Sequence, residues 1–351
     1  MLAAYFVSLP KQKMFAMKRV LTAAALILAA ILAGMACSPR SRYITSDGAM
    51  IGTTFHVCAE LESVLPSEIY AAMMRIDAEA RASMSVFDEG SLLNRINRNE
   101  TDSLDIHILR NFAVARAAGD LSGGRYDITV KPLTEAWGFA APAAAARPNL
   151  DSLLQFVGWD KWHVEGSRVV KHDPRVQFDL NSVAKGYTVD MAAEMLESMG
   201  AENYLVEIGG EVRCRGVNAS GDMWRIGVDT PAEGNMSPGL SLVGAVMLDN
   251  RALATSGNYR RFRTDADGRK IVHTLDPRTG EGVVSRLLSA TVAAPTCAEA
   301  DALATMFMAM GADDAIALAE RLSDDQRGVF FVLAVDRADG GDEYEFFNTL
   351  E

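Results

Sequence analysis

The stretch Ala300-Asp301-Ala302-Leu303-Ala304-Thr305 lies inside a longer pattern, Ala298 to Met310, that predicts an α-helix. Residues four apart on a helix share one face, one turn from each other. The Asp301 carboxylate and the Thr305 hydroxyl can therefore both direct oxygen atoms at one hard cation. Mg²⁺ takes oxygen ligands and is usually held by one or two carboxylates together with a substrate phosphate. The pair predicts a magnesium site, although Asp and Thr at this spacing also occur as solvated or capping residues.

Strand and helix patterns surround this helix without regular alternation. Strand patterns at Leu287 to Ala293 and Gly328 to Val335 flank it, and a further helix is predicted at Ala315 to Leu322. Because strands outnumber helices and do not alternate with them, the sequence favours an α+β fold with mixed or antiparallel sheets and packed helices. The remaining predicted strands are Tyr204 to Ile208, Trp224 to Val228, Leu242 to Leu248 and Ala252 to Thr255; the remaining helices are Ser67 to Ser85, Ile106 to Ala118, ended by Gly119, and Ser182 to Met199, ended by Gly200.

The N-terminus carries the pattern of a targeting segment. An uncharged apolar run, Val20 to Ala36, is followed directly by Cys37 and preceded by the basic residues Lys11, Lys13, Lys18 and Arg19. This order is typical of a secretory signal, and the cysteine resembles the lipidated residue of a bacterial lipoprotein. We therefore expect a signal at residues 1–36, a linker at 37–49 and a membrane-anchored domain at 50–351, facing the periplasm or the exterior of a bacterial cell envelope. A plain cleaved signal or an uncleaved anchor is the alternative.

Charge and cysteine content exclude several classes of protein. The formal net charge of −12 argues against a nucleic-acid partner. Beyond Cys37, the three cysteines Cys58, Cys214 and Cys297 are widely spaced and form no zinc or disulfide framework. With only five histidines in the chain, a metal site built from several imidazoles is not expected.

The segment from Asp179 to Tyr187 leads from a predicted strand into a helix. A helix N-terminus favours anions through its free N–H groups and its dipole, and Lys185 adds a positive charge for a phosphate. Alternatively, Asn181 or Ser182 simply caps the helix and Lys185 is a surface lysine. Gly186 weakens the first turn, which indicates a close approach of another group.

Two further polar segments contain candidate functional residues. Asp127, after a Gly-rich turn, can accept from a ring N–H, pair with Arg125 or cap the turn. His273 precedes a Pro/Gly turn and is either a general base or a structural histidine. No Walker A sequence is present, and Gly209-Gly210 does not open a helix, so we expect a tight turn between strands there instead of a dinucleotide-binding loop.

Eight segments, taken in order, resemble the ApbE family, flavin transferases that use FAD to attach FMN to proteins. The resemblance covers roughly Met50 to Val335 and includes the helix at Asp301. The segments are Met50 to Thr53, Gly124 to Asp127, Trp137 to Phe139, Asp179 to Gly186, Ile208 to Glu211, Thr255 to Tyr259, Asp276 to Gly280 and Ala300 to Thr305.

The resemblance implies a role for each matching residue. Mg²⁺ would be bound by the side chains of Asp301 and Thr305 and by the backbone carbonyls of Ser182 and Ala304, and His273 and Asp301 would be the catalytic residues. The implied FAD site comprises Met50, Phe87, Arg125, Tyr126, Asp127, Asp179, Lys185 and Leu275. Three positions depart from the family pattern: Phe87 replaces a common Tyr, Ser182 a Gly or Ala, and Thr274 an aliphatic residue.

The implied activity is a Mg²⁺-dependent transfer of the FMN moiety of FAD to a threonine hydroxyl of a target protein, with release of AMP. The implied acceptors are subunits of membrane redox complexes. Two alternatives remain open at this point. A Mg²⁺-dependent FAD pyrophosphatase would use the same residues and give FMN and AMP, and a lipoprotein that only binds or stores FAD would need no catalytic group.

Overall fold

The computed structural model describes residues 43–139, 148–232, 239–259, 262–264, 270–335 and 343–350. The predicted signal, Cys37 and the first part of the predicted linker lie outside these residues. The chain from Tyr43 to Glu351 forms one compact unit. Within the described ranges, no helix combines the length and the apolar character that crossing a membrane requires.

An eight-stranded sheet, antiparallel throughout, is the centre of the fold. Its strand order is β1-β2-β5-β6-β9-β12-β13-β14, and three two-stranded ribbons, β3-β4, β7-β8 and β10-β11, accompany it. The strands are β1 (Tyr43–Met50), β2 (Thr53–Glu60), β3 (Trp162–Glu165), β4 (Arg168–Lys171), β5 (Tyr204–Ile208), β6 (Glu211–Arg215), β7 (Trp224–Asp229), β8 (Leu242–Leu248), β9 (Ala252–Gly257), β10 (Phe262–Thr264), β11 (Lys270–Val272), β12 (Leu287–Ala294), β13 (Gly328–Ala334) and β14 (Tyr344–Asn348).

Eight α-helices occur in the described ranges. They are α1 (Pro66–Met84), α2 (Leu92–Asn97), α3 (Ile106–Leu121), α4 (Lys131–Ala136), α5 (Leu150–Leu153), α6 (Ala184–Ser198), α7 (Cys297–Met310) and α8 (Ala312–Leu322). The predicted helix around Asp301 is thus confirmed as α7, and the α+β class with antiparallel pairing is confirmed by the sheet. The strand predicted to lead into α6 is wrong, because residues 172–183, which precede this helix, belong to no strand.

The two faces of the sheet carry different layers because successive side chains of a strand point to opposite sides. On one face, Val206 of β5 packs in a core with Leu196 of α6 and Ile69 of α1. On the other face, Cys214 of β6 packs against Trp224 and other side chains of the β7-β8 ribbon. The helices that carry the predicted site residues therefore lie on a single face.

The predicted linker is shorter than expected at its C-terminal end, because residues 43–49 belong to strand β1. Within β1, Ser46 and Met50 are the buried residues, so the strand shows little apolar alternation in the sequence. It pairs with β2 through a two-residue turn in which Ile51 and Gly52 both have positive φ, 40° and 78°. Such turns match the twist of paired strands, and pairing with β2 determines this strand more than its own residues do.

The end of α3 also differs from the prediction. The helix continues past Gly119 to Leu121, and Gly119 is buried inside it. A Cβ atom at Gly119 would lie 2.3 Å from the indole nitrogen of Trp159, so the glycine is required for close packing. Gly200, by contrast, follows the end of α6 with φ of +92°, as predicted.

Helices α6 and α7 are in close contact at Gly186. A Cβ atom on Gly186 would lie 2.2 Å from the carbonyl oxygen of Cys297 and 2.8 Å from the Cβ of Asp301. The close approach that the sequence indicated at this glycine is therefore the first turn of α7. This contact places the N-terminal ends of two helices side by side.

Gly186→Ala is expected to lower the free energy of unfolding by about 1–3 kcal/mol, because a methyl group would overlap backbone atoms that cannot rotate away. Alanine is otherwise favoured over glycine in a helix by about 1 kcal/mol, so a loss of stability would indicate a steric clash. Urea unfolding followed by circular dichroism measures the effect. Gly90→Ala is the matched control, since a Cβ there meets only Asp88 at 3.4 Å. Equal effects of the two variants would contradict the packing argument.

Candidate active site

A cavity of about 300 Å³ opens where α6, α7 and several loops meet. This volume is at the lower end of the range for small-molecule sites. The structure brings most of the predicted site residues together in its lining. These are Arg125, Tyr126, Asp127, Asp179, Ser182, Lys185, His273, Leu275, Asp301 and Thr305.

Asp301 and Thr305 lie one turn apart on the face of α7 that lines the cavity. Asp301 is buried, and its Oδ2 accepts a hydrogen bond from the backbone N–H of Gly186 at 2.9 Å. Within the described residues, its other carboxylate oxygen accepts no hydrogen bond. The Thr305 hydroxyl lies 3.0 Å from the hydroxyl of Ser256 on β9. Burial raises the pKa of Asp301 above its usual value. Lys185 and the Gly186 N–H act in the opposite direction but do not outweigh burial.

Lys185, in the first turn of α6, is fixed by two oxygen atoms. Its Nζ lies 2.6 Å from Oε2 of the buried Glu211 and donates to the Gly209 carbonyl at 3.2 Å. Burial alone lowers the pKa of Lys185, but the carboxylates of Glu211 and Asp301 outweigh this effect and raise the pKa. The ammonium group is therefore held in the charged form beside Asp301. It is not the freely solvated surface lysine of the alternative interpretation.

Tyr126 and Ser182 connect the Gly-rich turn to the start of α6. Their hydroxyl oxygens lie 2.8 Å apart. Burial raises the pKa of the Tyr126 hydroxyl, which therefore stays neutral and can donate a hydrogen bond. Arg125 lies at the opposite end of α7, where it donates to the Met310 carbonyl at 2.8 Å and pairs with Asp314.

Two buried carboxyl groups bind the backbone of their own loops. Asp179 accepts from the N–H of Asn181 at 2.8 Å. Asp127 accepts from both the N–H and the hydroxyl of Thr129 at 2.7 Å. Asp127 thus caps a turn, as one of the open alternatives had it, and it lines the cavity as well. Burial raises the pKa of Asp127 to about 6, despite the two bonds from Thr129.

The titration of Asp127 is expected to affect stability between pH 4 and 6. Because its native pKa is raised, the native state binds the proton more tightly than the unfolded state, and stability falls as pH rises through this window. Asp127→Asn keeps the acceptor oxygen and removes the titration. Over this window, the free energy of unfolding of the wild type should fall by up to about 3 kcal/mol relative to the variant. Urea unfolding at several pH values tests this, with exposed Asp222→Asn as the control that should keep the wild-type slope. Parallel slopes in all three proteins would contradict the assignment.

His273 follows β11 directly and lies in the cavity lining with a partly exposed side chain. Its ring stands edge-on to Phe139, with centroids 6.3 Å apart. The loop after His273 is fixed at Gly280, whose carbonyl accepts a hydrogen bond from the indole N–H of Trp137 at 2.7 Å. Leu275 belongs to the apolar cluster that includes Trp137 and Leu133. The ring contact with Phe139 and the packed loop that follows therefore hold His273 beside the cavity.

Three of the predicted site residues are not in the lining. Met50 is buried in the core formed by β1, β2 and α1. Phe87 is 66% exposed, in a turn whose N–H groups are bonded by the Ser85 hydroxyl. Ala304 precedes Thr305 by one residue and is rotated by about 100° around α7. The roles that the resemblance implies for these three residues stay predictions.

The lining also contains residues that were not assigned a role from the sequence. Glu211, Ser256 and Thr255 come from strands β6 and β9, and they lie within segments that carry the family resemblance. Their contact with α6 and α7 depends on long-range pairing, which spacing in the sequence does not reveal. The family resemblance of the segment Ile208 to Glu211 was the feature of the sequence that could have identified Glu211 as a site residue.

The oxygen atoms of these side chains fit a hard cation that also takes a phosphate of the substrate as a ligand. Asp301 offers one carboxylate oxygen and Thr305 a hydroxyl, and Ser256 is adjacent. In the described part of the chain, no three His, Cys, Asp or Glu side chains cluster to hold a metal by themselves. Mg²⁺ is commonly bound in this way, with one or two carboxylates, waters and substrate phosphates.

Comparisons with known proteins agree with this arrangement. A model of the ApbE family matches residues 51–330. The FAD:protein FMN transferase of Haemophilus influenzae is 33% identical over 317 residues, which cover 86% of this chain and 89% of the relative. That of Vibrio cholerae is 32% identical over 329 residues, covering 90% and 95% of the two chains.

Solved structures show the same fold. The flavin transferase ApbE from Vibrio cholerae superposes with a TM-score of 0.74 at 30% identity, covering 87% of this chain and 96% of that one. The apo flavinyl transferase ApbE of Pseudomonas stutzeri gives 0.75 at 26% identity, covering 88% and 94%. Because the family model and relatives of more than 30% identity cover most of its length, this chain belongs to the ApbE family.

Proposed function

We propose that this protein is an enzyme that transfers the FMN moiety of FAD to a hydroxyl group of an acceptor protein and releases AMP. The observation that carries the proposal is the shared cavity of Asp301, Thr305, Lys185 and His273. The names of its relatives support the same reaction. A protein that only stores FAD would need neither a cation site nor a base beside it.

The reaction forms one phosphorus–oxygen bond and breaks another. The hydroxyl oxygen of the acceptor attacks the phosphorus that carries riboflavin, and the bond from that phosphorus to the bridging oxygen of the diphosphate breaks. AMP leaves with the electron pair of that bond, and the acceptor hydroxyl loses its proton. We propose threonine as the acceptor residue, in subunits of membrane redox complexes.

The residues of the cavity have separate roles in this proposal. Lys185, fixed by Glu211 and Gly209, binds the diphosphate through its positive charge. His273 accepts the proton of the acceptor hydroxyl. Flavin and adenine contacts are assigned to Arg125, Tyr126, Asp127, Asp179 and Leu275 from the lining, and to Met50 and Phe87 from the family resemblance.

We further propose that Mg²⁺ binds to the side chains of Asp301 and Thr305 and to the carbonyls of Ser182 and Ala304. When bound there, the ion would offset the charge of the diphosphate and stabilise the leaving AMP. The buried carboxylate and its neighbouring hydroxyl supply oxygen ligands only, as this ion requires.

Incubation of the protein with FAD, Mg²⁺ and a flavin-accepting domain tests the proposal. Covalent flavin on the acceptor together with an equal amount of AMP is the expected result. Free FMN and AMP without labelled acceptor would instead identify a pyrophosphatase, in which water attacks the same phosphorus. Unchanged FAD would leave only the binding or storage alternative. The acceptor domain with its threonine replaced by valine is the control for the attachment site.

We also propose that the protein is a lipoprotein of the bacterial cell envelope, anchored through Cys37. The basic region and the apolar run before this residue support the proposal. Cys37→Ser is expected to release the protein from the membrane fraction or to leave its signal uncleaved. Fractionation and mass spectrometry of the N-terminus provide the measurement. Cys58→Ser is the control, and a Cys37 variant that matures and partitions like the wild type would show that lipidation at Cys37 is wrong.

A further inference from the structure

Asp190 is a buried carboxylate on α6 that lies outside the cavity lining but contacts the helix that carries Asp301. Its Oδ1 accepts from the N–H of Cys297 at 2.9 Å, and its Oδ2 accepts from the N–H of Ala298 at 2.8 Å. These two N–H groups are the first of α7. A helix N-terminus favours a negative charge, so the side chain of one helix caps the next.

A second bond runs in the opposite direction between the same helices. Asp301 of α7 accepts from the N–H of Gly186 in α6, while Asp190 of α6 accepts from N–H groups of α7. Gly186 permits the close approach, because a side chain there would overlap Cys297. Sliding or rotation of α7 against α6 would have to break bonds at both places.

Asp190 also binds strand β6, which contributes Glu211 to the cavity. Arg213 of β6 donates to Asp190 Oδ1 at 2.7 Å, and β6 begins at Glu211, which pairs with Lys185. The Asp190 carboxylate therefore joins α6, to which it belongs, to both α7 and β6. Each of these elements contributes one of the charged residues Lys185, Asp301 and Glu211 to the cavity.

We propose that Asp190 is a positioning residue that sets the affinity of the Asp301 site for its divalent cation, by fixing the first turn of α7 against α6 and β6. The inference rests on the magnesium site of the proposed function. It assigns to Asp190 no contact with FAD, with the cation or with the reacting atoms. Residues that orient metal ligands in this way typically contribute 10- to 100-fold to metal affinity.

The test is a Mg²⁺ titration of the full chain, wild type and Asp190→Asn. Asparagine keeps one acceptor oxygen but places an amide where the second N–H needs an acceptor. FAD fluorescence quenching measures binding as a function of Mg²⁺ concentration, independently of turnover. The half-saturating Mg²⁺ concentration is expected to rise by about tenfold or more. The transfer rate at saturating Mg²⁺ should stay within about threefold of the wild type, because the reacting groups are unchanged.

Thr296→Ala is the matched control. The Thr296 side chain accepts from the N–H of Glu299 at 3.3 Å, so it caps the same end of α7, and within the described residues it makes no hydrogen bond to α6 or β6. This variant should lower the thermal unfolding midpoint and leave the half-saturating Mg²⁺ concentration within about twofold of wild type. Equal Mg²⁺ shifts in both variants, or a lower midpoint with no Mg²⁺ shift in Asp190→Asn, would overturn the proposal.

If Asp190→Asn does not fold, the same Mg²⁺ titration of Asp190→Glu tests the proposal. It keeps the charge beside Arg213 but displaces the carboxylate by one methylene group, and a several-fold rise in the half-saturating Mg²⁺ concentration is expected. An unchanged value would overturn the proposal. A wild-type protein whose FAD binding ignores Mg²⁺ would overturn it as well, by removing the metal site, whereas covalent transfer to the acceptor would still be measured separately.

Discussion

His273→Asn is expected to lower the rate of FMN transfer by more than about a hundred-fold while FAD affinity stays within a few-fold of the wild type. A base that removes the acceptor proton contributes to the transition state and little to the binding of FAD by other groups. A structural histidine would behave differently, because its loss would lower stability, rate and binding together. The partly exposed ring in the cavity lining favours the first behaviour.

Single-turnover kinetics and FAD titrations separate the two cases. The pH–rate profile of the variant should lose its acidic limb, because only a neutral imidazole accepts a proton. His172→Asn is the control, since this histidine is exposed and outside the cavity lining. Wild-type rates in His273→Asn, or a variant that unfolds, would return His273 to a structural role and assign proton removal to another group.

Asp301→Asn is expected to reduce Mg²⁺-dependent transfer by about a thousand-fold, since a bound cation contributes several kcal/mol to the stabilisation of developing charge. Asparagine retains an oxygen that can accept from the Gly186 N–H, so the fold should persist. Asp301→Ala should show the same loss of turnover but would leave that buried N–H without its acceptor, which costs about 1–3 kcal/mol.

Transfer rates over a range of Mg²⁺ concentrations, with thermal unfolding measured in parallel, test this second expectation. Asp313→Asn on α8 is the matched control, because its side chain is 90% exposed. Near-wild-type transfer by Asp301→Asn at low Mg²⁺ would show that the cation site is elsewhere.

The parts of the site that lie close together in the chain were predictable from the sequence. Asp301 and Thr305 share a face of α7 because helical geometry is local. Gly186 could be identified as a point of close approach because glycine is unfavourable inside a helix. Their common position in one cavity followed from the family resemblance and not from spacing.

The parts that depend on distant pairing were not predictable from the sequence. Glu211 reaches Lys185 because β6 packs against α6, a contact between elements that neither the tight turn at Gly209-Gly210 nor residue spacing reveals. Strand β1 was expected as linker because an edge strand with two buried residues carries almost no apolar alternation. Met50 and Phe87 were assigned through the resemblance alone, and the packing of their side chains decides whether they border the cavity.

The sheet and the cavity share a consequence for the kinetics of folding. The hydrogen bond between Arg125 and Met310 spans 185 residues, and the bond between Gly186 and Asp301 spans 115. Long-range contacts of this kind raise the contact order, and chains with high contact order fold slowly. Local units such as the β1-β2 hairpin can form early, whereas the cavity proposed as the flavin site is completed only when α7 docks. Flavin binding during refolding should therefore be among the last signals to appear.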